Sequence, residues 1–280
     1  MLLVLALLAF GPLAALDAKR LRHPVTMLHR AAQPGRAFPA LGFVADTAVL
    51  GTRVVTAGSL WRAVATILLI VGALVWLVIA AELGRYPARV VNMQARGEWL
   101  LATVATEGLA ILLSQLSHTL HWLAVVLWAL GGALDVIVMA LLARRIARSR
   151  MRPHQLTPDW WIVMGAPAIF ALASATLDRG GLSSPIGVLG LAGWAVASVW
   201  IPVLATAELW RARTLAPRFT PTRWTMVFPL GMYSASGQLG GQVLGLAWMH
   251  AIGRDWLAVA LAAWTAVAAG EIHFAFRPRH

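Results

Sequence analysis

Two carboxylic acids, Asp46 and Glu107, stand in the middle of long apolar runs, where charge is least expected. In lipid an ionised side chain costs about 2.5–3.5 kcal/mol on insertion scales. Such an acid is therefore either a neutral, hydrogen-bonded structural group or part of a watery lumen. A protonated carboxyl can donate a hydrogen bond to a passing carboxylate or oxyanion, whereas an ionised one repels it. Two acids facing one narrow lumen would titrate as a coupled pair. Asp135 is a third acid in an apolar run, and a hydrogen bond between helices is its expected role. His118, His121, His250 and His273 carry imidazoles that could ligate haem or metal, but they fall at different depths, so no metal or cofactor is expected. An intramembrane enzyme or redox protein using these histidines and acids is the alternative reading. No GxSxG, HExxH or phosphate-cradling glycine loop occurs in the sequence, and no enzyme is expected.

The elements that must position these groups are membrane spans. Of the 280 residues 60% are hydrophobic and only 12% charged, with a mean hydropathy of +0.74. A soluble domain is about half apolar and about a quarter charged. The solvent for so much apolar surface must be lipid. The absence of cysteine excludes disulfides, Cys-ligated zinc and iron–sulfur clusters.

Apolar runs between charged punctuation predict nine spans: Met1–Leu16, Ala37–Val55, Trp61–Ala81, Trp99–Leu116, Trp122–Leu142, Trp160–Leu177, Ile186–Ala207, Trp224–Trp248 and Trp256–Phe274. Tryptophans mark many of the ends, namely Trp61, Trp99, Trp122, Trp160, Trp161, Trp210, Trp224 and Trp256, as in the aromatic belt of a bilayer interface. Trp76, Trp194 and Trp264 fall inside runs and read as core.

The net charge of +12 invites a nucleic-acid reading, but the distribution of the basic residues removes it. They crowd into alternate loops, around Lys19–Arg36, Arg85–Arg96, Arg144–Arg152 and Arg211–Arg223, and into the tail at Arg277 and Arg279. The intervening loops hold only Arg53, Arg62, Arg179 and Arg254. This is the positive-inside pattern. It predicts a multi-pass protein of the cytoplasmic membrane with its C-terminus in the cytoplasm. Met1–Leu16 has no basic n-region and is followed at once by Lys19, Arg20 and Arg22, so it reads as a span rather than a cleaved signal.

Spans leaving the basic loops begin near Arg36, Gly97, Pro158 and Trp224, a period of about 60 residues that signals a repeated helical hairpin. These outgoing spans carry Pro39 and Gly42, Gly165 and Pro167, and Pro229 and Gly231. Such residues kink helices and free backbone groups that lipid does not tolerate, which predicts an inner ring of outgoing helices around a pore and an outer ring of returning ones. Asp46 and Glu107 share one offset from their repeat starts; Ala168 and Ser234 occupy it in the later repeats. The expected pore-lining set is Asp46, Thr47, Thr106, Glu107, Gly165, Pro167, Pro229, Gly231 and Ser234.

The run Trp224-Thr-Met-Val-Phe-Pro-Leu-Gly-Met-Tyr233 resembles the signature of the tellurite-resistance and C4-dicarboxylate transporter family, which includes the plant slow anion channels. Pro34-Gly-Arg-Ala-Phe38 with Val44-Ala-Asp-Thr-Ala48, Leu156-Thr-Pro-Asp-Trp-Trp-Ile-Val-Met-Gly165 and Trp200-Ile-Pro-Val203 are similar to its actinobacterial branch. The resemblance implies an all-α membrane protein of five hairpins, hence ten helices, in a single transmembrane domain over residues 1–280. By that template Met1–Leu16 is the second helix and the first is missing before residue 1. It further implies a homotrimer and a pore for monovalent anions, or transport of a C4-dicarboxylate or tellurite-type anion, and it assigns the pore gate to Phe228.

Overall fold

The structure is a computed structural model that describes residues 34–85, 95–148, 155–178, 180–214 and 220–275. The expected span Met1–Leu16 lies outside these residues, as do parts of the basic loops. Among the described residues the fold is helical, without strands. Eight α-helices follow in order: α1 Pro34–Val55, α2 Ser59–Arg85, α3 Leu101–Leu116, α4 His121–Arg148, α5 Ile162–Leu177, α6 Pro185–Thr214, α7 Trp224–Val243 and α8 Ala247–Ala275. All except α7 are long and apolar enough to cross a membrane. The sequence of α7 is diluted by glycine, serine and glutamine, which is why it alone of the eight falls short. The chain is an all-α membrane protein.

The chain divides into two compact units, Met1–Gln94 with Gly108–Leu127, and Ala95–Glu107 with Trp128–His280. In the first unit α1 packs on α2, and Leu50, Val54, Ala65 and Leu112 form its core. In the second unit α5 packs on α6 and on α7, and α7 packs closely on α8.

The outgoing and returning helices differ in what surrounds them. In the most apolar stretch of the spans Gly97–Leu116 and Pro158–Leu177, 78% of residues are buried. The corresponding shares for the returning spans His121–Arg148, Pro185–Thr214 and Ala247–His273 are 22%, 28% and 11%. Exposed Val136, Ile137, Val199, Trp264 and Ile272 face outward from the returning helices. Apolar side chains in that position lose nothing when the surroundings are hydrocarbon.

The helix ends correct the sequence expectations in three places. The returning helices are longer than predicted, because the arginines expected in loops, Arg144, Arg145, Arg148, Arg211 and Arg213, lie on the last turns of α4 and α6. Cations there complement the helix C-terminus and carry their heads beyond the apolar zone. The span expected to run to Trp248 stops at Val243. Gly245 takes φ +69, its N–H bonds to the Gln242 carbonyl at 3.3 Å, and the Leu246 N–H bonds to the Gly241 carbonyl at 2.8 Å. This paired closure around a left-handed glycine ends a helix and frees the chain to reverse. Finally, Trp99, Trp160 and Trp161 are buried rather than belted against lipid, and Trp264 is exposed rather than in the core. Trp99 and Trp160 belong to short 3-10 turns, Gly97–Leu100 and Pro158–Trp161, that begin the two outgoing spans. Those turns pack on each other, with Gly97 set against the Asp159 carbonyl and Trp160 Cα.

Candidate functional site

Each hairpin is closed at one buried glycine of its returning helix: Gly72 on α2, Gly131 on α4, Gly190 on α6 and Gly253 on α8. They recur about every 60 residues, the period of the repeat. Close backbone approach at small residues is how membrane helices pack tightly. A Cβ on Gly72 would stand 2.9 Å from Thr47 Oγ1. One on Gly131 would run into the Glu107 carboxyl, 2.7 Å from its Cδ. One on Gly190 would meet Ser174 Cβ at 2.5 Å, and one on Gly253 the backbone of α7 at Gly237 and Gln238.

Opposite each glycine stands a polar group, and three of the four are satisfied. Thr47 Oγ1 donates to the Val44 carbonyl at 2.8 Å. Ser174 Oγ donates to the Phe170 carbonyl at 2.8 Å and accepts from Trp128 Nε1 at 2.8 Å. Ser234 Oγ donates to the Gly253 carbonyl at 2.7 Å and accepts from Gln238 Nε2 at 3.1 Å. Glu107 is the exception. It is 0% exposed, and neither carboxyl oxygen has a hydrogen-bond partner. A buried polar group left in that state is rare and calls for an explanation.

The neighbours of Glu107 deepen the anomaly. Thr103, one turn earlier on α3, is 0% exposed and its hydroxyl is also without a partner. Asp135 lies on α4 one turn after Gly131, the glycine that Glu107 faces. Asp135 Oδ1 is buried and unpartnered, so the hydrogen bond expected of it between helices is not made by that atom.

The other expected pore residues divide by what they touch. Asp46 is exposed on α1, whereas Thr47 beside it is buried. Thr106 is buried and donates to the Ala102 carbonyl at 2.7 Å. Gly165 brings α5 against Pro229 of α7, where a Cβ would meet the proline ring at 2.9 Å. Pro167 is buried within α5, and its carbonyl lies 3.1 Å from the position of a Cβ on Gly193. Around Gly231 a Cβ would meet nothing within 4 Å, so this glycine is not there for packing. Phe228 is half-buried on α7, immediately before Pro229. Proline at 229 has no N–H to give the Thr225 carbonyl, which loosens the helix beneath the Phe228 ring. His250 Nδ1 lies 3.0 Å from the Gln238 carbonyl, while His273 is exposed. Among the described residues no group of three His, Cys, Asp or Glu could hold a metal ion.

Sequence reasoning missed the four closing glycines, Thr103, and the place of Asp135 one turn beyond the glycine that Glu107 faces. The signal was present in the even spacing of Gly72, Gly131, Gly190 and Gly253, hidden among the 24 glycines of the chain. It also missed Phe170, which stacks on Trp128 with ring centroids 5.3 Å apart and fills the space left by Gly132 and Gly193.

Two membrane proteins from strains of Mycobacterium tuberculosis, neither characterised, are each 34% identical to this chain over 149 residues, covering 50% of it and 76% of the relative. No solved structure matches. The family described as SLAC1, voltage-dependent anion channel, matches residues 1–272. That match spans nearly all of a chain whose spans Gly97–Leu116 and Pro158–Leu177 are mostly buried and whose returning helices are mostly exposed, and the protein belongs to this family of membrane anion channels and transporters.

Proposed function

We propose that the protein conducts a small anion, a monovalent ion or a C4-dicarboxylate or tellurite-type oxyanion, along its outgoing helices, with the Phe228 ring as the gate. The observation that carries this reading is the family match over residues 1–272. The local geometry supports it. Gly231 stands in open space one turn from a half-buried aromatic ring, and Pro229 weakens the helix between them. A hydrophobic ring in a narrow passage gates by blocking and by dewetting. Removing it with Phe228→Ala should raise anion flux into proteoliposomes several-fold. Unchanged flux in a folded variant would remove Phe228 from the role.

The orientation follows from charge. Arginines cluster at the ends of α4 and α6, which supports a cytoplasmic location for these ends and for the C-terminus. The chain has no cysteine, so Arg148→Cys gives a single labelling site. An impermeant thiol reagent should reach it only after the cytoplasmic side is opened; labelling of intact cells would reverse the orientation. A homotrimer in the membrane completes the proposal.

A further inference from the structure

Four equivalent contacts close the hairpins, and in one of them the polar group is a carboxyl without a partner. Glu107 is fully buried, with both oxygens unbonded, against the bare backbone of Gly131. Thr103 stands one turn away on the same face of α3, fully buried, with an unbonded hydroxyl. Across from them, one turn beyond Gly131 on α4, Asp135 buries an unbonded Oδ1. Three polar side chains from two helices thus leave donors and acceptors open in one apolar place.

We propose that Glu107 and Asp135 together bind one exchangeable proton. Two ionised carboxylates in this position would repel each other, and among the described residues α3 and α5 hold no cation to offset them. The helix α1, which meets α3 at Ala48 and Gly108, carries Asp46 and, nearer its end, Arg53. Neither α3 nor α5 carries any other titratable side chain. On α4 the nearest cations to Asp135 are Arg144 and Arg145, more than two turns away. Arg145 is held at the Ala95 carbonyl and over the Trp160 ring. His121 lies at the opposite end of the same helix. One proton taken from water onto a Glu107 oxygen changes the balance. The resulting O–H can donate to the Asp135 carboxylate, a charge-assisted bond that is short and strong. The Thr103 hydroxyl can donate to the remaining oxygen. The pair then carries a single negative charge, and releasing the proton restores the second.

None of the site's residues lies on α7, the helix that carries Phe228. Only its consequence for flux rests on the anion reading: an anion passing Glu107 would be repelled less when the proton is bound. Infrared difference spectra of the 280-residue protein in liposomes, recorded as the pH is raised with no anion gradient, test the site directly. The expected result is a carboxylic-acid carbonyl band that disappears as the pH rises. Glu107→Gln should abolish it. Asp135→Asn should move its midpoint by about one pH unit, a tenfold change in proton affinity. Asp46→Asn should leave it unchanged. If Glu107→Gln does not fold, Gly131→Ala, which pushes a methyl into the carboxyl, should shift the same band. A titrating band that survives Glu107→Gln in a folded protein would overturn the proposal. So would a Glu107 band that does not titrate, or one that responds to sodium and not to pH. Because no flux is measured, failure of the anion reading would leave these spectra as they are.

Discussion

The hairpins α1–α2 and α3–α4 are the same device with one residue exchanged. In the first, Gly72 faces Thr47, whose hydroxyl is bonded to its own helix, and the acid Asp46 beside it is exposed. In the second, Gly131 faces Glu107, which is sealed from solvent with no partner. The two acids share an offset in the sequence repeat but not an environment. A helix advances about 100° per residue, so a shift of one position between repeats moves a side chain from the helix contact to the open side. Equal spacing along the chain places residues at equal depth; it does not aim them.

The largest effects that test this comparison should come from filling the closing glycines. Gly253 meets backbone at Gly237 and Gln238, which cannot rotate away. Gly253→Ala should therefore cost about 1–3 kcal/mol or more of stability, seen as a lowered midpoint of thermal unfolding in detergent. Gly131→Ala should cost less, because the Glu107 side chain it strikes can swing. Gly231→Ala, where a methyl meets open space, should be neutral in stability. Equal losses at all three positions would show that these glycines serve the chain's flexibility and not its packing.

A smaller effect should separate the two acids. If Glu107 is the one that senses protons, anion flux into proteoliposomes should rise as the pH falls, and Glu107→Gln should flatten that profile. Asp46→Asn should change it by less than about twofold at any pH. The reverse ranking would return the exposed acid to the role that its sequence position suggested.

Much of the fold was legible in the sequence. The helices follow from length and hydropathy, and each described helix overlaps an apolar run that predicted it, although α8 begins at Ala247 and not at the expected Trp256. Helix ends depart from the sequence expectation where a single residue type marks a boundary poorly. Arginine was read as leaving the helix, yet Arg148 and Arg213 remain on it because a long side chain reaches water from the last turn. Trp248 was read as a span end because tryptophan favours interfaces, while Gly245 had already turned the chain. The candidate site was legible only as a list. Glu107 stood out by its type and depth, but Gly131, which it faces, and Asp135, one turn beyond, lie on another helix. Nothing in one dimension distinguishes a carboxyl that is buried against Gly131 from one that is exposed, as Asp46 is.

The central claim is that this chain passes anions, and the reversal potential tests it most directly. The purified 280-residue protein would be reconstituted in a planar bilayer with a salt gradient across it. The current should reverse near the equilibrium potential of the anion, and Phe228→Ala should enlarge the current without moving the reversal. Reversal near the cation's potential, with the protein folded and inserted, would contradict the account.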